Sequence, residues 1–378
     1  MAFSKFSHVR VCGIKTVVPE RFVDIDDELQ FFGNNPKKLA RQKKMIGYGR
    51  RYVAEKDTTV CDMAVDAAEK LLAEMSISRE EIELLVFVNQ SPDYVAPCDA
   101  CVAHGRLGLK KSCVTLDLNL GCSGWPHALM VAHALMESGN IRTGLILAGD
   151  KPTHYAEVTN RKAAQVFSDA ASATLLKYEP NGDVPSAFVC GTDGAGWDKL
   201  ICPFGGVKNP VTHEVLDYST TDAAGNLWRG TNSLMKGEDV FNFTMEVVPA
   251  LINEMLGVAG WDKDSVDCFA LHQANKQILE TIVAKAEIPL EKTPTETFTK
   301  YANNSTNSVV TVICDQLVGR SPAKVVACAF GVGLSWGAAA LDLSQMHNGG
   351  IGTYVHRVAA KSVAEKLDQC GKYFRGED

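Results

Sequence analysis

Strand-like and helix-like segments alternate along most of this 378-residue chain. Apolar, β-branched runs predict strands, and apolar residues at helical spacing predict helices. Extended segments are predicted at residues 9–18, 82–88, 114–119, 144–148 and 171–178, with helices at 60–75, 98–107 and 122–137. This alternation indicates an α/β fold.

A similar order of elements begins again near residue 180. After a stretch rich in Gly, Asp and Asn at 191–232, helices are predicted at 237–256, 274–286 and 305–318, and strands at 268–271, 324–329 and 337–343. The repeated order indicates an internal duplication. We therefore expect an N-terminal half, 1–179, a C-terminal half, 180–343, and a C-terminal extension, 344–378, whose role the sequence does not indicate.

The composition is that of an average soluble protein, with 46% hydrophobic and 22% charged residues. Neither a membrane-spanning apolar run nor a signal peptide is recognisable, which predicts a cytoplasmic location. The 12 cysteines are scattered and indicate reduced thiols. A net charge of −7 argues against nucleic-acid binding.

One segment is strongly basic. Residues 36–44 carry five positive charges in nine residues, and Arg50 and Arg51 follow closely. Such a run is usually the solvated face of a helix, but it could also dock a phosphate or an acidic partner.

Cys122 stands where an apolar strand turns through glycine into a helix. The positive end of the helix dipole there is expected to lower the thiol pKa from about 8.5, and free backbone N–H groups could hold an oxyanion. The alternative is a buried cysteine that acts only as a small apolar residue. His127 and His133 on the same helix are predicted to be packed or hydrogen-bonded rather than catalytic.

Two further junctions carry polar residues. A strand ends at His272 just before a helix, and Asn303 lies in a polar loop that precedes another helix. Because strand ends in an α/β sheet converge on one crevice, these residues and Cys122 could face a common site. Cysteine, histidine and asparagine suit acyl transfer, although cysteine proteases also use them.

A glycine-rich turn, 331–333, completes the set. With the motifs around Cys122, His272 and Asn303, in this order, the chain resembles the thiolase superfamily and, within it, the β-ketoacyl-ACP synthase III (initiating ketosynthase) group. The resemblance extends from about residue 8 to residue 343.

The resemblance implies a duplicated five-layered α-β-α-β-α fold with two mixed sheets and a homodimer. It implies that Cys122 is the acylated nucleophile and that His272 and Asn303 promote decarboxylation of a malonyl thioester. The backbone N–H groups of Cys122 and Val332 would form the oxyanion hole. Substrates would be acyl-CoA or acyl-ACP, carried on phosphopantetheine thioesters, with acyl carrier protein as partner and with no metal or other cofactor. The pathway would be fatty-acid or specialised lipid and secondary-metabolite biosynthesis.

Further residues match the substrate-binding positions of the family. Those assigned to the pantetheine tunnel are Arg161, Met235, Gly237, Phe241, Asn275 and Phe330. The family's adenine-stacking aromatic residue has no clear counterpart near Arg41, which argues against CoA as the acyl donor and leaves the choice between CoA and a carrier protein open. Ala96, ahead of Pro97, occupies the position that closes the acyl pocket across the dimer interface. Its small size predicts a pocket open to medium-length, branched or aromatic acyl groups.

Two alternatives stay open. A family member could transfer an acyl group to an alcohol or amine without decarboxylation, although Asn303 favours condensation because a pure acyltransferase has no enolate to stabilise. A non-catalytic ketosynthase partner subunit is the other alternative, although such partners typically lose the nucleophile.

Overall fold

The computed structural model describes residues 1–161, 163–356 and 361–377. The strands in these ranges are Ala2–Phe6 (β1), Val9–Pro19 (β2), Phe22–Asp24 (β3), Arg50–Tyr52 (β4), Leu84–Val88 (β5), Val114–Leu118 (β6), Thr143–Asp150 (β7), Ala170–Tyr178 (β8), Ser186–Thr192 (β9), Leu200–Ile201 (β10), Ser219–Thr221 (β11), Leu227–Arg229 (β12), Leu234–Met235 (β13), Cys268–Leu271 (β14), Val325–Gly331 (β15), Ser335–Leu341 (β16) and His347–Tyr354 (β17). The α-helices are Pro36–Ile46 (α1), Val60–Glu74 (α2), Asp99–Leu107 (α3), Gly124–Met136 (α4), His213–Asp217 (α5), Gly237–Ala259 (α6), Lys276–Ala286 (α7), Thr297–Tyr301 (α8), Ser308–Gln316 (α9) and Val363–Arg375 (α10).

Two mixed sheets form the body of the molecule. The six-stranded sheet has the order β17-β2-β8-β7-β5-β6, and the five-stranded sheet has the order β1-β9-β16-β15-β14. β5, β6 and β7 are parallel to one another and β8 is antiparallel to β7; in the other sheet β14 and β15 are parallel and β16 is antiparallel to β15. The shared pattern supports the interpretation of an internal duplication.

Helices α4 and α9 lie between the sheets. Trp125 and Leu129 of α4 and Val310 and Ile313 of α9 join residues of both sheets in one apolar core. α2 and α3 cover the outer face of the six-stranded sheet, and α6 and α7 cover that of the five-stranded sheet. This arrangement gives five layers, which confirms the predicted fold class.

Each end of the chain adds a strand to the sheet of the other half. β1, at the N-terminus, pairs with β9 of the C-terminal half. β17, from the predicted extension, pairs in parallel with β2 of the N-terminal half. β9 and β17 were not predicted from the sequence. Gly191, which forms part of β9, indicated a loop, and His347–Tyr354 contains glycines that hide strand character.

The two helix histidines are packed as predicted. Nδ1 of His133 contacts the carbonyl oxygen of Leu129 at 2.8 Å, and Nδ1 of His127 contacts that of Ser123 at 2.9 Å. Burial lowers the pKa of His133 to about 4, so this side chain is neutral at physiological pH. Both histidines are therefore hydrogen-bonded within the first and last turns of helix α4, in agreement with the prediction.

Candidate active site

Cys122 lies between β6 and α4 and is 7% exposed. Its Sγ is 3.7 Å from Oγ of Ser305. The preceding Gly121 allows this close packing, because a Cβ there would lie 2.4 Å from Oε1 of Gln90 and 2.6 Å from Cγ1 of Val332. A side chain at position 121 would push the thiol-bearing turn away from both neighbours.

The pKa of the Cys122 thiol shifts in the direction opposite to the prediction. The pKa is raised to about 11; burial is the largest cause, and the nearby charge of Asp150 also raises it. The hydroxyl of Ser305 and the backbone N–H groups of Cys122 and Val332 lower it, but by less. The expectation of a lowered pKa was wrong. The free-energy cost of burying a thiolate is larger than the stabilisation that these hydrogen bonds and the helix start give it.

His272 follows directly on β14 and is buried. Its backbone N–H donates to the carbonyl oxygen of Cys328 at 2.8 Å. Its imidazole ring packs edge-to-face against the ring of Phe330, with the ring centroids 5.2 Å apart. Among the described residues Nδ1 has no hydrogen-bond partner. Burial lowers the pKa of His272 to about 3, so the imidazole is neutral and can donate one N–H without carrying charge.

Hydrogen bonds hold both the backbone and the side chain of Asn303. Its backbone N–H donates to the carbonyl oxygen of Val166 at 2.9 Å, and its own carbonyl oxygen accepts from the N–H of Ser168 at 3.0 Å. The side-chain Oδ1 accepts from the N–H of Ser305 at 2.9 Å and from Oγ of Ser308 at 3.3 Å. Because Oδ1 is engaged twice, the amide orientation is determined and the NH₂ group is left to donate to a substrate.

The glycine-rich turn between β15 and β16 packs directly on the nucleophile. A Cβ at Gly331 would lie 2.7 Å from Cβ of Cys122 and 2.9 Å from its Sγ. Oγ of Ser335 donates to the carbonyl oxygen of Val332 at 2.7 Å and also lies 2.7 Å from Oγ of Ser123. These bonds hold Val332 through its carbonyl group, and the backbone N–H of the same residue points to the Cys122 sulfur.

The three predicted catalytic residues are linked through shared neighbours, although His272 and Asn303 are not among the residues that line the cavity at Cys122. Ser305 joins Cys122 to the Asn303 side chain, and the strand that carries Gly331 joins Cys122 to Phe330 and His272. Cys122 and Val332 also line a cavity of about 470 Å³. The cavity is lined by Gln90, Ser91, Asn119, Cys122, Asp150, Pro152, Tyr155, Phe167, Trp197, Leu200, Ile201, Cys202, Ser233, Ser305, Val332 and Gly333. This space offers room for an acyl group next to the thiol.

Two predicted tunnel residues have contacts within the chain. Nε of Arg161 donates to Oδ1 of Asn226 at 3.2 Å, and its guanidinium also donates to the carbonyl oxygen of Ala224. Asn275 caps α7, since its Oδ1 accepts the N–H of Ile278 at 2.9 Å. Neither residue lines the cavity at Cys122, and their substrate-binding roles stay predictions.

The other predicted substrate-binding residues have varied surroundings. Met235 is 43% exposed. Gly237 is the first residue of α6, and a Cβ at this position would have no neighbour within 4 Å. Phe241 packs against the apolar cluster on the outer face of the five-stranded sheet. Phe330 is buried against His272. Ala96 is exposed in the single chain and does not line the cavity, so its role in the acyl pocket stays a prediction.

Sequence reasoning missed two residues at the site. Asp150 is the last residue of β7, is 2% exposed and lines the cavity, and the hydroxyl of Ser305 faces Cys122. A polar residue at the end of an apolar strand was the available signal for Asp150, as it was for His272.

Other kinds of site are absent from the described part of the chain. It contains no group of three or more His, Cys, Asp or Glu side chains that could hold a metal ion. No helix within it is long and apolar enough to cross a membrane.

Comparison with known proteins identifies the family. Residues 116–194 match the sequence profile of 3-oxoacyl-[acyl-carrier-protein (ACP)] synthase III, and residues 256–343 match that of its C-terminal part. A putative 3-oxoacyl-[acyl-carrier-protein] synthase 3 of Campylobacter jejuni is 32% identical, over 93% of this chain and 98% of its own. A β-ketoacyl-[acyl-carrier-protein] synthase III of Xanthomonas euvesicatoria is 29% identical over 89% of this chain and 99% of its own.

The solved structures agree with this result. The crystal structure of a 3-oxoacyl-(acyl-carrier protein) synthase from Burkholderia xenovorans LB400 is similar with a TM-score of 0.85 and 34% identity, and the match covers 93% of this chain and 99% of that one. The resemblance inferred from the motifs is thus confirmed. The chain belongs to the 3-oxoacyl-[acyl-carrier-protein] synthase III family of thiolase-fold acyltransferases.

Proposed function

We propose that this protein loads an acyl group from an acyl thioester onto Cys122 and then condenses it, with loss of CO₂, with a malonyl thioester carried on acyl carrier protein. The product would be a β-ketoacyl thioester for fatty-acid or specialised lipid and secondary-metabolite biosynthesis. Family membership supports a reaction of this class.

The observation that carries the proposal is a neutral imidazole and an oriented amide that are linked to a buried thiol through Phe330–Gly331 and through Ser305. Loss of CO₂ leaves an enolate whose negative charge lies on the thioester oxygen. The neutral His272 and the oriented amide of Asn303 can each donate a hydrogen bond to that oxygen. Neutral donors stabilise charge that appears only as the reaction proceeds, which is the condition for catalysis of this step.

The cavity supports an acyl group larger than acetyl. Its apolar wall is formed by Pro152, Phe167, Trp197, Leu200 and Ile201, and its volume is about 470 Å³. An apolar wall suits an acyl chain, while polar side chains such as Gln90, Asn119 and Asp150 line other parts of the cavity.

Helix α1 supports docking of an acidic carrier. Asn35 caps this helix, and Lys37, Lys38, Arg41 and Lys44 are exposed along it. Lys43 instead pairs with Asp26 at 2.8 Å. We expect Lys38→Glu with Arg41→Glu to raise KM for acyl-ACP and malonyl-ACP while leaving KM for the corresponding CoA thioesters unchanged. An equal effect on both carriers would refute docking at α1.

A homodimer and a cytoplasmic location belong to the same proposal. Strand β6 supports the dimer, because among the described strands it pairs only with β5 and its other edge is open to a second copy. Sedimentation analysis of the purified protein tests this, and a monomer at micromolar concentration would contradict it.

Intact-mass spectrometry tests the reaction. Wild type and Cys122→Ala would each be incubated with acyl-CoA and acyl-ACP donors of several lengths and then with malonyl-ACP. We expect an adduct on wild type only, which disappears on addition of malonyl-ACP as a β-ketoacyl product forms. An adduct that persists with malonyl-ACP but leaves to an alcohol or amine would support acyl transfer without decarboxylation. No adduct with any donor would support a non-catalytic subunit.

A further inference from the structure

The buried thiol needs a proton acceptor during acyl loading. Burial raises the pKa of Cys122 to about 11, so the resting residue is a thiol at neutral pH. His272 is a poor base, because burial lowers its pKa to about 3. Neither the helix start nor the histidine accounts for removal of this proton.

We propose that Ser305 and Asp150 form a proton relay that takes the Cys122 proton as the thiol attacks the acyl donor. This inference rests on the proposed function, since it concerns the loading step of that reaction. Ser305 contacts the reacting sulfur, and Asp150 is a positioning residue that acts through Ser305.

Ser305 is placed to connect the two groups. Its Oγ lies 3.7 Å from Sγ of Cys122, and Ser305 lines the same cavity as Asp150. The next residue, Thr306, donates to the Asp150 carboxylate, and the Ser305 side chain acts as a further donor that lowers the pKa of Asp150. A hydroxyl can accept one hydrogen bond while it donates another. The backbone of Ser305 is held in an unusual conformation, with φ of +50°, and its N–H is tied to Asn303. A non-glycine residue at positive φ is costly and is characteristic of functional sites.

Asp150 is surrounded by donors. Its Oδ1 accepts from the N–H of Gln90 at 2.7 Å and from Oγ of Ser91 at 3.2 Å, and its Oδ2 accepts from the N–H of Thr306 at 3.2 Å and from the Thr306 hydroxyl. Because every contact is a donor, the arrangement fits an ionised carboxylate. Burial raises the pKa of this carboxyl group, which makes it a stronger base than an exposed aspartate.

Among the residues that the structure describes, few titratable groups face Asp150. Its charge acts on Cys122 and on Tyr155, which both line the cavity. The ammonium of the adjacent Lys151 is bound by the carbonyl oxygens of Glu55, Lys56 and Thr58. Thus Asp150 has no ion-pair partner among the described residues, and its negative charge is available to the relay.

The step balances without another reactant. The Cys122 S–H proton passes to Oγ of Ser305 while the Ser305 hydroxyl proton passes to Asp150, and the sulfur forms a bond to the thioester carbonyl carbon. When the tetrahedral intermediate collapses, the bond to the pantetheine sulfur breaks. The proton then returns along the relay to the departing thiolate, so that acyl-Cys122 and a free pantetheine thiol result.

The test compares two quantities in Asp150→Asn, Ser305→Ala and the double variant. The thiol pKa is read from the pH dependence of iodoacetamide alkylation of Cys122. The acylation rate is read in a single turnover with hexanoyl-CoA or hexanoyl-ACP, whichever loads wild type. Asp99→Asn is the matched control, because Asp99 is equally buried and accepts hydrogen bonds from Asn89 and Asp93 but does not line the cavity. Thermal melts establish that each variant is folded.

The relay predicts opposite changes in the two quantities. Asp150→Asn removes a negative charge and should lower the thiol pKa, yet acylation should slow by about 10²-fold because the base is lost. Ser305→Ala should slow acylation similarly, and the double variant should be no slower than the slower single variant. The Asp99→Asn control should keep the wild-type rate.

Other outcomes would overturn the relay. If Asp150 acts only as an unfavourable charge, Asp150→Asn will accelerate acylation as the pKa falls. A wild-type rate in Ser305→Ala, or an equal loss in Asp99→Asn, would also refute it. If neither hexanoyl donor acylates wild type while Cys122 still reacts with iodoacetamide, loading of this acyl group fails and the relay fails with it.

Discussion

Gly331 provides a sharp test of the site geometry. A methyl group at this position would lie 2.7 Å from Cβ of Cys122 and 2.9 Å from its Sγ. Favourable carbon–carbon contacts are about 3.5–4.0 Å long. Gly331→Ala must therefore separate the end of β15 from the nucleophile by roughly 1 Å.

Two effects of different size are expected from this shift. Overpacking of a close contact should lower the free energy of unfolding by about 1–3 kcal/mol. Displacement of the following peptide should withdraw the Val332 N–H from the oxyanion, and loss of one such donor costs about 10²–10³ in rate, or about 2.7–4 kcal/mol. Acylation and condensation should both slow, because both pass through an oxyanion beside Cys122.

Single-turnover acylation and denaturant unfolding would measure these effects. Gly257→Ala is the matched control: Gly257 lies within α6, and a Cβ there meets nothing within 4 Å. We expect this control to keep the wild-type rate and to gain up to about 1 kcal/mol of stability from helix propensity. A wild-type acylation rate in folded Gly331→Ala would refute the assignment of the turn to the oxyanion hole.

Three further predictions follow from burial and pocket shape. Alkylation of Cys122, followed by peptide mass mapping, should reach half its maximal rate near pH 11, where its buried thiol ionises; a midpoint at the ordinary value of about 8.5 would contradict this. His272 stays neutral in the folded state down to about pH 3, whereas in the unfolded chain it takes up a proton near pH 6.5. Its contribution to the free energy of unfolding is therefore complete above about pH 6.5 and is lost as the pH falls toward 3. His272→Gln should therefore lose less stability than wild type between these pH values, and the other groups with shifted pKa values, among them His127 and His133, account for the remainder. Denaturant unfolding curves of equal pH dependence would contradict this. Ala96→Phe should reduce activity on medium-length and longer acyl donors and leave activity on acetyl donors unchanged. An unchanged chain-length preference in a donor competition assay would contradict the prediction of an open pocket.

Local sequence patterns predicted much of the fold. Strand and helix segments such as β5, β14, α2 and α6 were predicted at nearly their observed positions, because each has an apolar periodicity that can be recognised within one segment. Short motifs with fixed spacing identified the family and pointed to Cys122, His272 and Asn303. These are properties of neighbouring residues in the chain.

Properties that depend on distant residues needed the tertiary structure. β9 and β17 owe their strand conformation to partners far along the chain, β1 and β16 for the former and β2 for the latter. The sequence-based expectation for the Cys122 pKa had the wrong direction, because it counted the helix start and could not count burial beneath the turn at Gly331.

The sequence by itself thus determined the element types, the family and the candidate nucleophile with its two donors. Tertiary structure decided how those groups are charged and what surrounds them. Asp150 illustrates the difference: it is an ordinary residue at a strand end in the sequence, but folding buries it beside Ser305 and Thr306 from the other half of the chain. Electrostatics depends on distance and burial in space, and both are set only when the two halves pack together.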